Sequence, residues 1–263
     1  MIQEAKPNSS VQIYNFNLEF QNDGSGSPFF APFPFIFDGR PVEGISCGIS
    51  SRFAGDMKNE ENRLALYNFA GPRINPADVC SVKQIHSRTV IPAGAGGNIA
   101  ERPSEFSADG MTAQDLRITL LVTAADCLPV YLLDVKKRSF ALVHSGWKGT
   151  GIAADAAALM KELYGADAGG IAAVLGPCIG ACCYKTDAQR FDLFKREFGE
   201  QSVRKSGEDF FLDLKAANIK LLSDIGVKNI AVCRDCTFCD ERLGSFRRQG
   251  ADFTHMAALV FPN

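Results

Sequence analysis

Three short apolar runs follow one another between residues 117 and 143, and they constrain this chain more than any other feature. Arg117 to Val122 and Pro129 to Val135 are strand-like, rich in Ile, Leu, Val and Tyr, and Ser139 to Val143 is a third run that ends at His144. An alanine-rich periodic stretch, Ile152 to Tyr164, then reads as a helix. Ile171 to Leu175 reads as a buried strand, and Asp187 to Phe198 as an amphipathic helix with Phe191, Phe194 and Phe198 at helical spacing. Asp213 to Ile225 is a further helix, opened by a capping-type Asp and closed at Gly226. Ile230 to Cys233 and Met256 to Phe261 are the last strands, while Glu60 to Ala70 has helical character. Phe29 to Phe37 contains Pro32 and Pro34, which make it an edge strand or extended packing segment rather than a helix. Asn22 to Pro28 is a turn or surface loop. Strands and helices mix without strict alternation or internal repeat, so a single α/β or α+β domain over residues 1–263 is expected.

Charge excludes little but does direct attention. The 28 Lys and Arg against 30 Asp and Glu leave no basic excess of the kind a nucleic-acid binder shows. No stretch approaches the ~20 apolar residues of a spanning helix. The start, MIQEAKPNSS, lacks the basic and apolar pattern of a secretory signal, so a cytoplasmic location is the expectation. In that setting the clustered ones among the nine cysteines are better explained by metal binding or catalysis than by a disulfide framework, while isolated Cys47 and Cys80 read as small buried hydrophobes.

The chain has three histidines, and His86 and His144 each end an apolar run. Between them, Thr123-Ala124-Ala125-Asp126-Cys127 closes another. Strand ends opening into loops are where sheets place ligand-binding groups. Two imidazoles and a thiolate suit zinc, and three protein ligands leave a fourth position open, as catalytic sites do. Asp126 is a candidate to orient a ligand or move a proton. Taken singly, each of these residues reads better as a core or surface residue, and it is the rarity of His and the matching strand-end contexts that raise the joint metal reading to equal weight. Ser145 to Gly151 supplies three glycines before a helix, which is either an anion cradle assisted by Lys148 or a tight turn. Two cysteine groups, Cys178/Cys182/Cys183 and Cys233/Cys236/Cys239, offer a structural zinc or an iron–sulfur cluster if the segments meet, and otherwise are buried thiols. His255 is solitary and reads as a packing or surface residue.

Several strings resemble one family in order and spacing: KQIHS at His86, TAADCLPVYLLD at Cys127, ALVHSGWKGT at His144, GPCIGACCY at Gly176, DCTFC at Asp235 and SFRRQG at Ser245. This is the laccase-domain or polyphenol-oxidase-type family, whose members are described as zinc-containing purine nucleoside phosphorylases. The resemblance runs from about Ser50 to the carboxyl end. It implies two packed sheets flanked by helices, a four-layer α/β/β/α arrangement, and zinc held by His86, Cys127 and His144. It also implies phosphorolysis of adenosine, inosine, guanosine and methylthioadenosine, with deamination of adenosine. Purine nucleosides and phosphate are then the partners, with no nucleic acid and no membrane, and the oligomeric state stays open. Arg52, Arg63, Lys148 and Arg247 are the candidates to hold phosphate, and Asp126 to handle a proton.

Older descriptions make the family copper-dependent phenol oxidases, but three histidines cannot hold the several copper ions of laccase chemistry. The sequence departs from the family pattern at Thr254-His255-Met256-Ala257, where Gly-Arg-Met-Ala is usual. It departs again at Leu243-Gly244 and in the shortened Ser51 to Asp56. Two rivals remain: a Cys–His hydrolase or deamidase with Cys127 as nucleophile activated by His144, and a non-enzymatic metal-dependent interaction protein built on the cysteine groups.

Overall fold

Strand Leu128–Asp134 is buried along its whole length, and its side chains alternate between two cores. Tyr131 and Leu133 enter one, and Leu128, Val130 and Leu132 the other. A strand apolar on both faces must be covered on both, and this one organises the layers around it. A computed structural model describes residues 3–4, 11–71, 74–94 and 106–263. Among them, an eight-stranded mixed sheet runs in the order Gln3–Glu4, Gln12–Phe16, Asn229–Cys233, Ile171–Leu175, Leu128–Asp134, Phe140–Ser145, Gly110–Ala113, Val90–Pro92. A six-stranded sheet runs Gln21–Asn22, Pro28–Phe37, Arg40–Ser50, Met256–Phe261, Thr119–Ala124, Val79–Ser81. A small three-stranded sheet is made of Lys185–Thr186, Asp209–Leu212 and Val203–Ser206.

The two large sheets pack face to face. Phe33, Ile49, Leu120, Val122, Ala258 and Val260 of one meet Met111, Tyr131, Phe140, Leu142, Val174 and Ala231 of the other. Phe33 and Tyr131 make an edge-on contact at 5.3 Å, and the Tyr131 hydroxyl donates to the Gly48 carbonyl at 3.2 Å.

Helices α1 (Glu60–Ala70), α2 (Ile152–Tyr164), α3 (Ala188–Phe198) and α4 (Leu214–Asp224) close the outer faces, and α5 (Phe246–Gln249) is a single turn. Ile152, Ala156 and Met160 of α2, Phe194 of α3 and Leu214 and Leu222 of α4 cover the eight-stranded sheet. Leu66 and Tyr67 of α1 cover the six-stranded one against Leu121, Ala257 and Leu259. The result is the four-layer α/β/β/α arrangement that the resemblance implies.

Local chemistry sets the element ends. Asp187, Asp213 and Asn59 accept from Arg190 N, Ala216 N and Glu61 N, satisfying donors that a first helical turn leaves free. Gly165, left-handed at φ 67°, ends α2. Helix α4 ends at Asp224, one residue before expectation, with Ile225 as its C-cap, and Gly226 takes the left-handed turn at φ 99°. The proline-bearing strand Pro28–Phe37 does sit next to a sheet edge, flanked outwardly only by the two-residue strand Gln21–Asn22. Its pairing shifts register between Pro34 and Ile36, where the missing N–H interrupts the ladder. No described helix is long and apolar enough to cross a membrane.

Candidate metal centre and cavity

Two places where the chain leaves the six-stranded sheet for the eight-stranded one carry two of the three proposed ligands. Ala125-Asp126-Cys127 joins Thr119–Ala124 to Leu128–Asp134. His86 lies on the connection from Val79–Ser81 to Val90–Pro92. The third, His144, lies in strand Phe140–Ser145 itself. His86 therefore does not end a strand, as its apolar context suggested. The Gln84 side chain accepts from Thr123 N at 2.7 Å and donates to Thr123 O at 2.8 Å, taking the place of strand pairing and releasing the backbone into a loop.

The donor atoms of His86, Cys127 and His144 all lie within 4.8 Å of one another. The two imidazoles meet edge-on at 4.9 Å. His144 is buried, Cys127 half-buried and His86 exposed, so the group opens from the core toward solvent.

Asp109 fixes this arrangement, and no motif in the sequence marks it. It is fully buried, accepts from His86 N at 2.9 Å, Ser87 N at 2.6 Å and Ile85 N at 3.2 Å, and also from Ser87 Oγ at 2.8 Å. Its Oδ1 lies 3.1 Å from His144 Nδ1. That contact directs the Nδ1 proton to Asp109 and leaves Nε2 for a metal or for Cys127, the usual arrangement behind a ligating histidine. Three consecutive N–H groups on one carboxylate also hold His86 in its left-handed conformation, φ 60°.

The charges are coupled. Burial pushes the Cys127 thiol up, but the neighbouring imidazoles of His144 and His86 bring it down to about 6. Burial opposes charge on His144 as well, yet the Cys127 sulfur and Asp109 raise it to about 9. Asp109, against its own desolvation, is held down to about 2 by His144 and Ser87.

The glycine stretch serves close approach. A Cβ on Gly146 would lie 3.0 Å from Cys127 Sγ and 3.4 Å from His86 Cδ2, and one on Gly149 would lie 2.7 Å from the Ser87 carbonyl. Lys148 Nζ lies 5.5 Å from the Trp147 ring.

The three donors open into a cavity of about 730 Å³, a size typical of small-molecule sites. Of the proposed phosphate residues, Arg63 and Arg247 line it, and Arg52 and Lys148 do not. Arg52 instead donates to the Glu241 carbonyl at 2.5 Å. Lys58, Lys83 and Arg190 also line the cavity, as do the rings of Tyr184, Phe246 and Phe253. Asp126 borders it at φ 87°, with Oδ1 accepting from Thr237 Oγ1 at 2.6 Å and Oδ2 from Arg247 N at 2.7 Å. Both oxygens thus hold the loop that carries Arg247. His255, read from sequence as a packing or surface residue, lines the cavity too. Its Nδ1 is 3.2 Å from Asp56 and its ring 4.4 Å from that of Phe253. It stands where the family pattern has arginine, and that departure was the signal available for it.

The family profile described as multi-copper polyphenol oxidoreductase laccase matches residues 46–263. The chain belongs to this family. A purine nucleoside phosphorylase of Clostridium acetobutylicum is 30% identical over 190 residues, 71% of this chain and 78% of the relative. Another, from Corynebacterium glutamicum, is 31% identical over 206 residues, 76% of this chain and 80% of the relative. The crystal structure of YlmD from Geobacillus stearothermophilus superposes with a TM-score of 0.76 at 24% identity, over 93% of this chain and 98% of that one. The family's description and its relatives' names thus point to different chemistries, and the donor set is what bears on the choice.

Proposed function

We propose that the chain is a zinc-dependent purine nucleoside phosphorylase accepting adenosine, inosine, guanosine and methylthioadenosine, with adenosine deamination as a second activity. The observation that carries this reading is one cavity bordered by the His86–Cys127–His144 donors, by several cations and by aromatic rings. Two nitrogens and one thiolate fit zinc better than the histidine-rich set of copper oxidases. When bound, zinc would supply a Lewis-acid centre on the cavity wall.

The chain's own residues do the remaining work. In phosphorolysis a phosphate oxygen bonds to the sugar carbon as the carbon–nitrogen bond to the purine breaks, and the base leaves with the electron pair and takes up a proton. Arg63 and Arg247 are assigned to the phosphate, because both border the cavity. Phe246 and Phe253, edge-on at 5.1 Å, give an apolar wall suited to a purine. Asp126, first considered for the proton, acts in this reading by positioning Arg247. Deamination at the same place consumes water and releases ammonia from the purine ring.

A second reading draws on the lowered Cys127 thiol, which has the character of a nucleophile activated by His144. Turnover of adenosine and inosine, with and without phosphate, separates the two. Phosphate-dependent release of adenine or hypoxanthine that vanishes in Cys127→Ala is the expected result. Absence of base and ammonia from zinc-loaded wild type at every phosphate level would overturn it. Iodoacetamide gives an independent check. Zinc is expected to slow alkylation of Cys127 at least tenfold relative to chelator-treated protein, whereas a free nucleophile reacts equally in both.

A further inference from the structure

Away from the cavity, four more thiols converge from two loops. Cys182 and Cys183 follow strand Ile171–Leu175, and Cys236 and Cys239 follow strand Asn229–Cys233. Cys239 Sγ lies 3.3 Å from Cys183 Sγ and 3.9 Å from Cys182 Sγ, and all four sulfurs lie within 4.8 Å of one another. The grouping differs from the one sequence spacing suggests. Cys178 and Cys233 are buried and stand outside it, because Cys233 ends a strand facing the inter-sheet core and Cys178 packs with the α2–α4 core.

We propose that Cys182, Cys183, Cys236 and Cys239 form a second metal site, a structural tetrathiolate that takes one zinc ion. Zinc–sulfur bonds of ~2.3 Å in a tetrahedron put the sulfurs ~3.8 Å apart, and the spacing found here brackets that value. An iron–sulfur cluster anchors its thiolates on different irons and spreads them more widely. Disulfides would pair the sulfurs at ~2.05 Å and would not draw four to a common centre. Cys236 Sγ accepts from Gly180 N at 3.2 Å, the kind of outer hydrogen bond that supports a metal thiolate.

A tetrathiolate zinc carries net negative charge, and the loops are ringed by cations. Arg204 donates to the Ala181 carbonyl at 3.0 Å. Arg248 donates to the Phe238 carbonyl at 2.9 Å and the Asp240 carbonyl at 3.1 Å.

The site has a task in the fold. Ile179 N donates to the Asp126 carbonyl at 3.0 Å, Thr237 donates to the Asp126 carboxylate, and Thr237 N donates to the Cys178 carbonyl at 3.1 Å. One ion would therefore lock together the two loops that meet at Asp126 and carry Ile179, Tyr184 and Arg247 into the cavity wall.

The test is a metal count that needs no turnover. Protein loaded with zinc under reducing conditions and then washed free of loose metal is assayed for zinc, iron and sulfide per chain. Two zinc ions are expected in wild type, one in Cys127→Ala, and one in the double variant Cys182→Ser with Cys239→Ser. Cobalt added to metal-free Cys127→Ala should give intense thiolate-to-metal absorption that is lost when Cys182 and Cys239 are also changed. A single zinc in wild type with none in Cys127→Ala, iron with acid-labile sulfide, or an intact mass showing disulfides among these cysteines would each overturn the proposal. If the double variant does not fold, the counts for wild type and Cys127→Ala still decide. Because they are independent of catalysis, failure of the phosphorylase reading leaves the test intact.

Discussion

The carboxylate of Asp109 accepts from His144 Nδ1 and from the backbone of Ile85, His86 and Ser87 at once, so a single side chain orients two of the three donors. Asp109→Asn keeps the shape but places an N–H₂ donor among N–H donors, and zinc affinity is expected to fall ~10–100-fold, read by chelator competition. The same residue carries a pH signature. Its folded-state value of about 2 lies below the ordinary 3.8, so its stabilisation is full above the ordinary value and fades as pH falls toward the lower one. Urea titrations of metal-free protein should show an acid limb over that interval that is flatter in Asp109→Asn than in wild type. At this scale the sequence is legible where residues are rare or sit in strong strings, as His86, Cys127 and His144 do. Asp109 sits in Ser107-Ala108-Asp109-Gly110, a lone acid before a four-residue strand, and its importance comes from partners 22 to 35 positions away. Of the other cavity cations, Lys83 opens the KQIHS string, whereas Lys58 and Arg190 lie in surface segments with no local pattern.

Elements repeat the lesson at larger size. The strands Leu128–Asp134, Ile171–Leu175 and Met256–Phe261 are buried throughout, so unbroken apolar runs disclose them to within a residue or so. Strand Val203–Ser206 is largely exposed, and its polar residues give no such signal. Cys233, Cys236 and Cys239 look like one unit in sequence, yet the strand end between Cys233 and the loop sends the first into the core and the other two outward. The turn ahead of α2 is set by room rather than by charge. Gly149 packs so closely on the Ser87 carbonyl that a methyl there must push the His86 loop away from the His144 loop. Gly149→Ala is expected to cost about 1–3 kcal/mol and to weaken zinc binding together with stability. Chemical denaturation with a parallel zinc titration checks it, and unchanged zinc affinity would show that the two loops move independently.

For the whole molecule, the decisive contact is between the two large sheets. Tyr131 crosses the interface to the Gly48 carbonyl and meets Phe33 edge-on. Tyr131→Phe should cost about 1 kcal/mol and Tyr131→Ala about 3–5 kcal/mol in urea unfolding, with both probes of the sheets melting together. That strands and helices combine without strict alternation is legible from the order of apolar runs. That the strands divide between two sheets is not, because the inward residues of both sheets are the same aliphatic types, and only the resemblance to a known family supplied it. The division has a consequence for the metal. His86 and Cys127 lie on crossings between the sheets, and His144 comes from a strand added after both. Strand Met256–Phe261 lies between Arg40–Ser50 and Thr119–Ala124, so the six-stranded sheet from which both crossings leave is complete only with the last strand in place. On the function proposed above, a chain lacking that strand is expected to bind zinc at His86, Cys127 and His144 less tightly than the whole one.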